Sequence, residues 1–85
     1  MYVEKYNNLR NRRNIKIIDL QDRYEYQIHH LPNSYNIPYD DLMNNYRVYL
    51  NKYDNYYVYC KSGKLSKRVS TVLSYLGYNV NVVEE

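Results

Sequence analysis

Apolar positions along this chain alternate between short runs and stripes spaced three or four apart. Ile15-Lys16-Ile17-Ile18-Asp19-Leu20 is a nearly continuous β-branched run, the pattern of a strand covered on both faces. Residues 56–59 and 79–83 predict two more strands. Residues 35–37 predict a shorter one, stopped by Pro38, and residues 1–3 a short edge strand. Helical patterns lie between them. Residues 4–10 predict a brief helix, and Asp22, three positions before Glu25, has the capping-box spacing that starts a single turn through Tyr26. Asp40 is placed to cap a helix whose stripe is Leu42, Tyr46 and Leu50, with Met43 and Tyr49 beside it. A last helix presents Leu65, Val69, Val72, Leu73 and Leu76 on one face, and Gly77 supplies a left-handed stop.

Strands separated by roughly 15–20 residues containing helices need crossover connections, which make parallel pairs. The expected fold is therefore α/β: one domain over residues 1–85, with a mainly parallel central sheet of about four or five strands and helices on both faces. No internal repeat or linker interrupts it. In open sheets of this class ligands meet the carboxyl ends of the strands. Cys60 and the segment Asp19-Leu20-Gln21 both fall at such ends.

Composition changes the picture in three ways. The aromatic residues are fourteen tyrosines with no Phe or Trp, so Ile, Leu and Val must build the dry centre while tyrosines pack their rings and turn hydroxyls outward. The net charge of +3 is mild and its cations fall into two clusters, Arg10-Asn11-Arg12-Arg13 and the stretch after Cys60. That is not the basic stripe of a nucleic-acid module, and no nucleic-acid partner is expected. A single cysteine excludes an internal disulfide. With no signal-type segment and no run long enough to span a bilayer, the expected address is a reducing cytoplasm, with no membrane partner.

The lone thiol stands where chemistry is favoured. An apolar run ends on Cys60, a Ser/Gly-containing turn follows, and an amphipathic helix begins almost at once. Free backbone N–H groups at a helix start stabilise negative charge and bias a thiol toward thiolate; Lys61, Lys64, Lys67 and Arg68 push the same way. Gly63 gives a tight cradle a residue without a Cβ, and Ser66 is placed either to cap the helix or to turn its hydroxyl toward the sulfur. His29, His30 and Cys60 invite a metal reading. Adjacent histidines point different ways and no second cysteine or suitably spaced carboxylate completes a site, so no metal is expected. A cysteine-dependent phosphatase loop needs an arginine at the sixth step after the cysteine, where this chain has Ser66.

Several segments, in order and at matching spacing, resemble the single-domain rhodanese-like sulfurtransferases. That family shows an apolar strand ending in Asp-x-Arg, a Glu-Tyr pair and Gly-His-Ile-Pro-Gly-Ala-x-Asn-Ile-Pro. This chain has Ile17-Ile18-Asp19-Leu20-Gln21, Glu25-Tyr26 and His29-His30-Leu31-Pro32-Asn33-Ser34-Tyr35-Asn36-Ile37-Pro38. The family's Tyr-Cys-x-x-Gly-x-Arg-Ser loop is matched by Tyr59-Cys60-Lys61-Ser62-Gly63-Lys64-Leu65-Ser66, and its Leu-x-x-x-Gly-Tyr helix end by Leu73-Ser74-Tyr75-Leu76-Gly77-Tyr78.

The resemblance implies a three-layer rhodanese-like fold and transfer of a sulfane sulfur through a persulfide on Cys60. Lys61, Ser62, Gly63, Lys64, Leu65 and Ser66 would form the substrate-binding loop, with Asp19 and Gln21 in support and no cofactor. The implied partners are a small anionic donor, thiosulfate or a persulfide, and a thiol or protein acceptor. Gln21 and Leu65 stand where the family has arginine, which predicts reduced use of thiosulfate. The alternative they favour is a non-catalytic interaction or regulatory domain. His30 matches the family's histidine and is expected to tie down a crossover. His29 and Asn33 replace two glycines, which predicts altered turn geometry there. The family's Gly-Gly and closing helix after the last strand are absent, as in a minimal or shortened form.

Overall fold

The computed structural model describes residues 2–85. Its strands are β1 (Val3–Lys5), β2 (Ile15–Asp19), β3 (Ser34–Asn36), β4 (Asn55–Tyr59) and β5 (Asn79–Glu84). They form one wholly parallel sheet in the order β1-β5-β4-β2-β3. The β-branched and tyrosine-rich runs take the centre, where both faces are covered: Tyr56, Tyr57, Val58 and Tyr59 of β4 are all buried. β2 pairs with β4 from Ile15 opposite Asn55 to Asp19 opposite Tyr59, so both strands end level with one another beside Cys60.

Period-two alternation divides the core. On one face Ile18, Tyr56, Val58, Cys60, Val80 and Val82 meet Leu42 and Leu50 from around helix α3 (Tyr39–Tyr49) and Val69 and Leu73 of helix α4 (Lys64–Tyr75). On the other, Ile17, Tyr57, Tyr59 and Val83 pack with Leu9 of helix α1 (Tyr6–Leu9) and with Leu31. Helix α2 (Arg23–Ile28) buries none of its residues. Among the described residues no helix is long and apolar enough to cross a membrane.

Several boundaries shift. The edge strand runs over Val3–Lys5 where residues 1–3 were expected; Met1 lies outside the described residues. Helix α1 covers Tyr6–Leu9, shorter than residues 4–10. Asp22 accepts from the Glu25 N–H at 2.9 Å, as the capping pattern predicts, although the helix continues to Ile28. Asp40 is not a cap: α3 starts at Tyr39 behind Pro38, and Asp40 and Asp41 occupy the first turn, where carboxylates suit the helix dipole. The same helix kinks at Asn45 (φ −137°, ψ 29°), whose side-chain amide donates to the Asp41 carbonyl at 3.1 Å.

The buried face of α4 also differs from its apolar stripe. Ser66, Val69, Ser70 and Leu73 are buried, whereas Leu65, Val72 and Leu76 are each more than a third exposed. Serine tolerates the inner position because it is bonded there. The Ser70 and Ser74 hydroxyls both donate to the Val80 carbonyl, at 2.6 and 2.9 Å. Gly77 does adopt the left-handed stop (φ 99°), with the Tyr78 N–H donating to the Leu73 carbonyl at 3.0 Å.

Candidate active site

Cys60 follows β4 directly and shares the face of Tyr56 and Val58, so the helix α4 side of the sheet covers it. The residue is 8 % exposed. After it the chain turns through Lys61 and Ser62 to Gly63, whose φ of 82° is left-handed and open to glycine at little cost. That turn brings the first turn of α4 back over the sulfur. The Ser66 backbone N–H donates to the Cys60 sulfur at 3.3 Å, and the Ser66 hydroxyl lies 3.5 Å from it while donating to the Gly63 carbonyl at 3.0 Å. Ser66 is therefore not the helix cap; it is the residue under the thiol. When the thiol loses its proton, the hydroxyl can rotate and donate to the sulfur.

The electrostatic outcome is a competition. Burial pushes the Cys60 thiol up. The Ser66 hydroxyl and the backbone N–H groups of Ser66, Gly63 and Leu65 outweigh it and hold the thiol below its ordinary value. The leading contributions are hydrogen bonds, not the lysine and arginine charges the sequence suggests. Replacing Ser66 by alanine should thus move the midpoint of the alkylation rate against pH upward, toward that of an unassisted thiol. Added salt should move it less, because short hydrogen bonds are poorly screened. An unchanged midpoint in Ser66→Ala would remove the hydroxyl from this account.

Cys60 lines a hollow of about 320 Å³ together with Lys61, Ser62, Gly63, Lys67, Glu84 and Glu85. Lys64 and Leu65 do not line it; both are exposed on the outer side of the loop. Asp19 is fully buried and accepts from the Gln21 N–H at 2.9 Å and the Gln21 side-chain amide at 3.0 Å. Burial raises the Asp19 carboxyl, and the two bonds from Gln21 oppose the rise only in part. The Gln21 amide also donates to the His29 carbonyl at 3.1 Å. It braces β2 against the following turn. Gln21 faces a neighbouring hollow with Lys61, and the Cys60 hollow does not include it.

Sequence reasoning missed the contribution of β5. Its end lies beside that of β4, and Glu85 accepts from the Tyr59 hydroxyl at 2.6 Å and pairs with His29 at 3.0 Å. These two contacts hold the Glu85 carboxyl below the usual range, while burial and then the same bond raise the Tyr59 phenol. The available signal was the parallel order itself, since neighbouring parallel strands bring their carboxyl ends to one edge.

His30 and Asn33 both shape the segment before β3, and at Asn33 the expected change of turn geometry does not occur. His30 lies 2.6 Å from the Tyr26 carbonyl and stacks on the Tyr26 ring, tying down the crossover. Asn33 takes φ 67°, supplying the left-handed conformation that a glycine would. Among the described residues no group of three His, Cys, Asp or Glu side chains could hold a metal ion.

Comparison with known proteins places this arrangement in context. The family model described as Rhodanese-like domain matches residues 2–85. A rhodanese-like domain protein from Staphylococcus aureus is similar at 27 % identity with a TM-score of 0.82, over 99 % of this chain and 85 % of that one. A rhodanese-related protein from Thermoplasma volcanium is similar at 29 % identity with a TM-score of 0.77, over 93 % of this chain and 75 % of that one. The search of curated proteins returned no match.

Proposed function

This chain belongs to the rhodanese-like domain family, and from that membership we propose that it moves a sulfane sulfur from donor to acceptor through a persulfide on Cys60. The observation that carries the reading is the Ser66 N–H and hydroxyl gathered on the sulfur of Cys60, a residue that itself lines an open hollow. The Cys60 thiolate attacks the outer sulfur of a donor, the new S–S bond forms as the donor's old one breaks, and the donor's remainder leaves with the electron pair. Thiosulfate would leave as sulfite, and a persulfide as its parent thiolate. The terminal sulfur of the Cys60 persulfide then carries the negative charge, which the loop N–H groups are placed to receive. A thiolate or cyanide takes that sulfur and restores the Cys60 thiolate. Atoms and charge balance without an oxidant or cofactor. The chemistry needs a reduced thiol and so suits a reducing compartment such as the cytoplasm.

Donor preference follows from the cations. Gln21 is committed to Asp19 and His29, and Leu65 is apolar, so no guanidinium fork faces the hollow to grip a dianion. Intact-mass spectrometry after exposure to thiosulfate and, separately, to a small organic persulfide tests both parts. We expect one added sulfur, removed by cyanide or dithiothreitol, gained faster from the persulfide. Faster loading from thiosulfate would overturn the donor preference. Loading from neither would favour the non-catalytic interaction reading.

A further inference from the structure

Lys61, Lys64, Lys67 and Arg68 are all exposed, and among the described residues no ion pair engages any of them. Without these four the chain has eight cations against nine carboxylates, so its whole positive excess sits on the loop after Cys60 and the first turns of α4. The excess is unevenly placed. Around the Cys60 hollow Lys61 and Lys67 share the lining with Glu84 and Glu85, two cations against two carboxylates. Lys64 and Arg68 lie outside the hollow and are unopposed.

A second observation concerns the same outer face. Leu65, Arg68, Val72 and Leu76 follow one another at steps of three and four, which places them in one row along α4. The three apolar members are 37 %, 38 % and 39 % exposed. Their side chains are the part of the sequence's apolar stripe that the sheet does not cover, and the row starts at the loop that holds Cys60.

From this layout we infer that the sulfur-exchanging partner of Cys60 is a protein whose reactive thiol is flanked by carboxylates and an apolar side chain, docking on Lys64, Leu65, Arg68 and Val72. This names the substrate class of the sulfur-transfer reading and rests on it. Such a partner meets unpaired cations before its thiol reaches the hollow, and free cations around a reactive group raise association rates with anionic surfaces. Its apolar side chain covers Leu65 and Val72. A small dianion gains none of this.

The test uses two synthetic peptides of equal length, each carrying one cysteine persulfide, one rich in Asp and Leu and the other rich in Lys and Leu. A small uncharged persulfide serves as the charge-blind control. The acidic peptide should load Cys60 at least about tenfold faster than the basic one at low salt, with the advantage shrinking as salt rises. In the double variant Lys64→Glu with Arg68→Glu the order should reverse, each peptide's rate being divided by that of the uncharged donor on the same protein so that any change in the thiol itself cancels. Equal rates for the two peptides, with normal loading from the uncharged donor, would overturn the docking inference and leave the sulfur reading standing. Failure of every donor would bring down the sulfur reading, and the inference with it. Binding to phosphatidylserine-containing vesicles without charge discrimination between peptides would assign the row to a membrane surface and overturn the inference.

Discussion

Serine in place of Cys60 should leave the chain folded and unable to take up sulfur from any donor. The substitution is nearly isosteric, and a serine oxygen at this position can still accept the Ser66 N–H that now reaches the sulfur at 3.3 Å. What disappears is the nucleophile, because a serine hydroxyl is far less acidic and far less nucleophilic than a thiol held below its ordinary value. The chain has no second cysteine to take over. Intact mass after donor exposure should show no added sulfur, and the thermal transition should stay close to that of the unaltered chain. A gain of sulfur by the serine variant would place the chemistry elsewhere and dismiss Cys60 as its carrier. A collapsed fold would make the loss uninformative, so the melting curve is measured on the same sample.

The largest effect on stability is expected at Leu73. Its side chain is fully buried where α4 lies on the sheet, within the cluster that includes Val69, Val80 and Val82. Truncation to alanine removes the apolar contacts and leaves a cavity that close packing relaxes only in part, a loss of about 2–5 kcal/mol. Against the total of roughly 0.05–0.15 kcal/mol per residue typical of folded domains, that is a large share for 85 residues. Urea unfolding should show a markedly lower midpoint with a similar slope. Val72→Ala, one position back, should stay within about 0.5 kcal/mol of the original, because its side chain is 38 % exposed. Equal losses at the two positions would mean that α4 packs by its apolar stripe and not as described.

That pair of residues shows where the sequence was a good guide and where it was not. Central strands were legible because β2 and β4 are rich in β-branched and tyrosine residues and β5 carries Val80, Val82 and Val83, a pattern that survives any detail of packing. The inner face of α4 was not, because hydropathy ranks Ser66 and Ser70 as surface residues. Their hydroxyls find the Gly63 and Val80 carbonyls, and a bonded hydroxyl is no longer costly to bury. The kink at Asn45 is a similar case, since a side-chain amide competing for a backbone carbonyl leaves no trace in periodicity.

At the candidate site, the position of Cys60 and the need for Gly63 could be read from the strand–turn–helix order. The source of the thiol's shift could not. Charge is visible in a sequence, whereas the direction of an N–H depends on the left-handed turn at Gly63 that folds Ser66 back over the sulfur. Gln21 shows the converse. Its place in the motif is legible as a supporting one, but what it supports is not: its amide spans Asp19 and the His29 carbonyl and serves the frame. The role of Glu85 depended on a partner 26 positions away, Tyr59, which only strand order brings near.

The sheet's outer edge carries a last consequence, for the order of assembly. Among the described residues β1 has β5 as its only neighbour, with Val3 opposite Val82 and the Tyr2 carbonyl accepting from the Val82 N–H at 2.8 Å. β1 thus finds its partner only after β2, β3 and β4, which lie between the two in chain order, have been synthesised. A nascent chain stalled short of Asn79 holds β1 unpaired, and closing that edge completes the sheet.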